Sequence, residues 1–190
     1  MAKSQFIAHR IFREDGLIHG YLKHTAVKNL PPEQYMFLQE QSESPWMFRF
    51  CSIVSRPAPD FFLMEDVFRE EEFLLFSPSL TQTLAEQPVL LCFLLTGFNG
   101  DCWQSFGPFV SFSGFDPDDI FFFATEQNPE IYDEEGLIRG IEENPVPYML
   151  LITGSTYPRY SNSPAATMNR HRILPRPITT RKKASFPYQR

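Results

Sequence analysis

The chain has 190 residues, 43% hydrophobic and 21% charged, proportions of a globular protein able to bury roughly 70% of its unfolded surface. Three cysteines are too few and too odd in number for a disulfide framework, and the longest apolar run, VLLCFLL at 89–95, is too short to span a bilayer. No signal-peptide pattern opens the sequence, so the expected setting is a reducing cytoplasm.

The formal net charge of −6 conceals a division. Residues 1–143 hold 9 Lys and Arg and all 23 Asp and Glu, a balance of −14, whereas residues 144–190 hold 8 Lys and Arg and no acid, a balance of +8. An acidic body therefore carries a basic tail. Twenty phenylalanines favour strands, where aromatic rings pack across a pleated surface.

In chain order, SQFIAHRIFRE and LIHGYLKHT flank Asp15-Gly16, a dipeptide that suits a two-residue hairpin turn. Pro31-Pro32 then opens PPEQYMFLQEQSES, where proline at the first turn permits a short helix. Residues 1–45 are read as a hairpin followed by a linker helix. From Trp46 onward short apolar runs alternate with turn residues. WMFRFCSIV places Trp46, Phe48 and Phe50 on one face and Arg49 on the other, and FFLMEDVF and FLLF follow, separated by the charged REEE. SPSLTQTLAEQ predicts a helix with Ser77 as N-cap and Pro78 at its first position.

The runs VLLCFLLTGF, DCWQSF, FVSFSGF and IFFFATE are expected to be further strands. NPEIYDEEGLIRGIEE predicts a helix entered through Asn128 and Pro129, and YMLLITG, 148–154, one more strand. The fold class is thus α+β and β-rich, an antiparallel curled sheet or small barrel over residues 46–154 with two or three short helices. Residues 155–190, rich in Pro, Ser, Thr and basic side chains, are expected to form a flexible tail without structure of its own. The echo between EDGLIHG at 14–20 and EEGLIRG at 134–140 does not extend over a whole repeating unit and is read as coincidence.

Gly-Asp-Cys-Trp, residues 100–103, resembles the cysteine-tryptophan signature at the nucleophile of papain-like proteases. A nucleophilic thiol needs a helix N-terminus or nearby cation, a base and an oxyanion donor. Here Asn99 and Asp101 replace the family's Cys and Ser or Ala, Asp101 would raise the thiol pKa, and the sole later histidine, His171, lies in the tail. Asn99-Gly100 instead predicts a two-residue hairpin loop pairing Phe98 with Asp101, Gly97 with Cys102, and Phe93 with Phe106.

His9, His19 and His24 lack the companion ligands of a structural zinc site, and no Cys-x-x-Cys spacing occurs. Asp116, Asp118 and Asp119 in GFDPDDI lack EF-hand spacing and read as turn chemistry. Neither a phosphate-binding loop nor a Gly-x-Ser-x-Gly elbow is found, so no catalytic set, metal or cofactor is assigned. In the tail, Arg170, Arg172, Arg176, Arg181, Lys182 and Lys183 alternate with Pro, Phe and Tyr, a pattern suited to phosphates and bases. The acidic body argues against nucleic acid and for the tail meeting an acidic surface.

An aromatic strand, the Leu-x-x-Asp strand at Leu63 to Asp66, an acidic turn and a Ser-rich bend at Ser77 and Ser79 give residues 46–100 a further resemblance. They are similar to the small β-barrel segment that precedes cysteine-rich SEC-C tails in some bacterial proteins. The resemblance implies a barrel-like subdomain. It implies no metal binding, because the cysteine motif is missing and the charged run Arg69 to Glu72 replaces the family's turn glycine. These residues point first to a non-enzymatic interaction or adaptor module with a protein partner. The alternatives are nucleic-acid association through the tail and, last, a hydrolase at Cys102.

Overall fold

The computed structural model describes residues 2–86, 91–112 and 115–151. The basic tail and its arginines and lysines, Arg170 to Lys183, lie outside these residues, as do the last three residues of the expected strand at 148–154.

Four helices open the chain: α1 (Ala2–Phe12), α2 (Ile18–Tyr21), α3 (Thr25–Lys28) and α4 (Pro32–Glu43). The expected N-terminal hairpin does not form. Gln5, Ala8 and His9 are buried at helical spacing, with Phe12 half-buried one turn on, so the inward stripe is helical although two of its members are polar. Asp15-Gly16 belongs to the turn between α1 and α2. A Cβ at Gly16 would lie 2.3 Å from the Ile11 carbonyl oxygen, which only glycine avoids.

The chain then builds a five-stranded closed barrel from β1 (Met47–Ala58), β2 (Phe61–Asp66), β3 (Glu71–Phe76), β4 (Leu91–Phe98) and β5 (Trp103–Phe112), in the order β1-β2-β3-β5-β4. The long β1 pairs antiparallel with β4 through its first half and with β2 through its second, closing the ring. Irregular pairing around Val54 lets one strand serve both neighbours, as a bulge does. The sheet is mixed, not antiparallel throughout: β3 and β5 run parallel, joined only at Leu75 with Trp103 and Phe76 with Gln104. Between β3 and β4 lies α5 (Pro78–Glu86), entered as expected through Ser77, whose hydroxyl accepts from the Leu80 amide.

Strand alternation divides the apolar residues between two cores. Inside the barrel, Cys51, Phe62, Met64, Phe73, Leu75, Cys92 and Leu94 pack with Leu80 of α5. Outside it, Phe48 and Phe50 of β1, Leu91, Phe93 and Leu95 of β4 and Phe112 of β5 form the base of a second core. That base is covered by α1 and by α6 (Pro117–Gln127), α7 (Glu134–Glu143) and α8 (Val146–Leu150), which contribute Ala8, Ile120, Phe123, Leu137, Ile141 and Tyr148. Phe48 and Phe50 each stack within 5.0 Å of Phe93. Each fully buried ring of this kind contributes about 1.5–3 kcal/mol. The described chain therefore carries eight helices rather than two or three.

Three further expectations change. IFFFATE is helical within α6, because Asp116 and Asp119 form a reciprocal capping box ahead of it and Ile120, Phe123 and Ala124 then fall on one face. The acids of GFDPDDI thus begin a helix rather than a turn before a strand. DCWQSF and FVSFSGF are not separate strands: Trp103 to Phe112 is one strand, bent at Gly107 with φ +73°. Residues 148–150 belong to α8, while α7 is entered through its N-cap Asp133, whose side chain accepts from the Gly136 amide, rather than through Asn128 and Pro129.

Candidate interaction surface

Alternation along β2 and β3 turns Phe62, Met64, Phe73 and Leu75 into the barrel and leaves Phe61, Leu63, Glu65, Glu72, Leu74 and Phe76 on the outer face. The register sets these as directly opposed pairs: Phe61 with Phe76, Leu63 with Leu74, Glu65 with Glu72. The two phenylalanine rings lie 5.1 Å apart. Phe61, Leu63, Leu74 and Phe76 belong to neither core. Leu74 is 40% exposed, and Val54, 46% exposed, lies at the bulge of β1 opposite Leu63 and Met64 of β2. The helical layer packs on β1, β4 and β5 and its core includes no residue of β2 or β3, so this face lies outside that core, with Phe61, Leu63 and Phe76 half-buried and Leu74 exposed.

At the acidic end of the face a buried ion network fixes the β2–β3 turn. Arg49, on the inner face of β1, places its guanidinium carbon 4.7 Å from the Phe73 ring centroid and 4.9 Å from that of Trp103. Its Nη1 donates to Asp66 at 3.1 Å and to Glu71 at 3.3 Å. Asp66, fully buried, accepts with its other oxygen from the amides of Phe68 and Arg69. Arg69 donates to Asp66 at 3.0 Å and to Glu142 of α7 at 2.9 Å, and Glu142 also meets His9 Nε2 at 2.9 Å. The chain of charges runs from the barrel interior through the turn to α7 and α1, tying the helical layer to the sheet. Arg49 Nε, Arg13 Nε and His9 Nδ1 are buried without a hydrogen-bond partner.

The residues singled out for chemistry do not converge. The loop after β4 holds four residues, Asn99 to Cys102, not two, because the Asn99 side chain accepts from the amides of Asp101 and Cys102 and folds the turn on itself. Phe98 therefore pairs with Trp103, Gly97 with Gln104, and Phe93 with Val110, replacing the expected partners Asp101, Cys102 and Phe106. Cys102 is a buried turn residue next to a strand, not at a helix N-terminus. Gly97 makes room for Trp46, whose ring covers it: a Cβ there would lie 2.5 Å from Trp46 Cε2.

Burial raises Cys51 well above an ordinary thiol, with the Cys92 sulfur opposite adding to the shift, and burial pushes Cys92, whose thiol donates to the Cys51 carbonyl, up to about 12. Both are inert thiols at neutral pH. The histidines serve separate structural tasks. His9 lies in the ion network, His19 meets the Glu14 carbonyl, and His24 caps α3 by accepting from the Ala26 amide. Among the described residues no three His, Cys, Asp or Glu side chains gather as metal ligands, and no helix is long and apolar enough to cross a membrane.

The chain matches no family model, no curated protein and no solved structure. The outer β2–β3 face was written in the alternation of FFLMED and EEFLLF, but both phases of that alternation are apolar. Pattern alone does not say which phase faces inward when the sheet is covered on one side only.

Proposed function

We propose that this protein is a non-enzymatic interaction module and that its binding surface is the outer face of β2 and β3. The observation carrying this reading is the set of four apolar side chains, Phe61, Leu63, Leu74 and Phe76, aligned in cross-strand pairs outside both cores. Apolar side chains that reach the surface together outside the core, here Leu74 exposed beside the half-buried Phe61, Leu63 and Phe76, mark a site of association. The strand order, with β3 parallel to β5 and a helix between β3 and β4, follows the connectivity of the OB-fold, whose ligands sit on the strand 2–3 face. That likeness speaks to where a ligand sits and not to what it is. The buried ion network supports the reading as well, because it holds the turn at one end of the face in a single geometry.

The test is capture from a cell extract with the intact chain and with Leu63→Ser/Leu74→Ser, followed by reconstitution with the purified partner. A partner lost with the double variant and kept with Cys102→Ser is the expected result. Turnover abolished by Cys102→Ser would replace this reading with the hydrolase. Nucleic-acid association through the tail is a second reading, favoured by the eight Lys and Arg and absent acids of residues 144–190.

A further inference from the structure

We infer that Tyr132 is a phosphate acceptor for a tyrosine kinase with a basic substrate cleft. Tyr132 lies in the segment 128–133 between α6 and α7 and is 82% exposed, more than any other large apolar or aromatic side chain among the described residues. Its ring and hydroxyl have no partner among those residues. A tyrosine supports a fold through burial of its ring and a hydrogen bond from its hydroxyl, and Tyr132 has neither. The chain is pinned on both sides of it. Ile131 is buried in the outer core and its amide donates to the Asn128 carbonyl at 3.0 Å, while the Asp133 side chain accepts from the Gly136 amide at 2.7 Å. The phenol is thus held out on a short irregular loop, from which an enzyme draws a nucleophile into its cleft at less cost than from a helix.

The other three described tyrosines lack this combination. Tyr148 is buried, Tyr35 is half-buried within α4, and Tyr21, 55% exposed, is part of α2 with His19, Lys23 and His24 around it and no acid within five residues. Tyr132 is preceded by Glu130 and followed by Asp133, Glu134 and Glu135, with no Lys or Arg within six residues. Charge beside the acceptor selects among kinases, and this pattern fits a cleft lined by Lys or Arg. In the transfer the Tyr132 Oη attacks the γ-phosphorus of ATP. The new O–P bond forms as the bond from that phosphorus to the β–γ bridging oxygen breaks, ADP leaves, and the phenolic proton passes to the kinase's catalytic aspartate. The product gains a charge of about −1.5 to −2 on the exposed ring, a group that arginine clusters of other proteins bind.

The test is phosphorylation of the full chain by ATP and the catalytic domain of a tyrosine kinase active on poly-Glu-Tyr, followed by peptide mapping in the mass spectrometer. A single phosphate on Tyr132 is expected. Tyr132→Phe should abolish uptake, Tyr21→Phe should leave the initial rate within about twofold, and Glu130→Lys/Glu135→Lys should lower it about tenfold. All four positions are exposed, and unchanged thermal unfolding of the variants confirms intact folds. A rate indifferent to the double charge reversal would overturn the basic cleft as the partner. Labelling that falls first on Tyr21, or on Tyr157, Tyr160 or Tyr188, would overturn the site. So would a folded chain left unlabelled under conditions that phosphorylate a synthetic peptide of residues 126–137, and so would failure of both.

Discussion

Replacing Asp66 with Asn alters one atom of a fully buried side chain and should be among the most destabilising single changes in the barrel. One Asp66 oxygen accepts from two arginines, Arg49 at 3.1 Å and Arg69 at 3.0 Å, and the other from the amides of Phe68 at 3.2 Å and Arg69 at 3.1 Å. An asparagine amide turned either way sets its own donor against two donors. It also leaves Arg49, itself buried, with only the largely exposed Glu71 as counter-charge. Breaking one side of a buried ion pair costs about 3–5 kcal/mol. For a domain of this size that corresponds to a fall in Tm of roughly 6–20 °C. Urea denaturation followed by tryptophan fluorescence measures it, because Trp103 stacks on the Arg49 guanidinium. A loss under about 1 kcal/mol would refute the network as the anchor of the β2–β3 turn and place it with solvent-screened surface pairs.

Gly97→Ala should cost about 1–3 kcal/mol by overpacking, since its Cβ would enter the Trp46 ring that bridges to Gln41 of α4; a neutral effect in denaturant melts would contradict the close approach. Stability should begin to fall above about pH 9 and fall further as pH rises toward 12. The folded state keeps protons on Cys51, on Cys92 (about 12 against an ordinary 9.0) and on Tyr148 (about 12 against 10.0) that the unfolded chain releases, and Cys92→Ala should flatten the slope. Deleting residues 170–190 should abolish any salt-sensitive binding to single-stranded DNA, measured by gel shift at low and high salt; binding that persists would remove the tail as its source.

The strands of the barrel were legible where alternation met a turn residue, as in WMFRFCSIV, whose Phe48 and Phe50 do face away from Arg49. The helices α4 and α5 were legible from Pro32 and from the Ser77-Pro78 cap. What misled was composition. In α1 the inward stripe includes Gln5, which donates to the carbonyls of Phe106 and Pro108, and His9, which meets Glu142, so an apolar count misses the helical period. In α6 three consecutive phenylalanines present apolar surface on every side and imitate a buried strand. The ion network joins residues from 9 to 142 and carries no local signature at all.

The slight parallel seam between β3 and β5 also dictates an order of events. Its two residue pairs join strands that flank α5 and all of β4, so the ring cannot shut until the chain has been made through Gln104. A nascent chain ending before β5 holds β1 to β4 as an open sheet, with the edges of β3 and β4 unpaired and the phenylalanines of β4 bare of α6 to α8. Such intermediates aggregate through their edges. Truncation within β5 should therefore yield insoluble protein rather than a smaller folded domain, and slow synthesis between residues 98 and 112 is the interval in which a chaperone has most to protect.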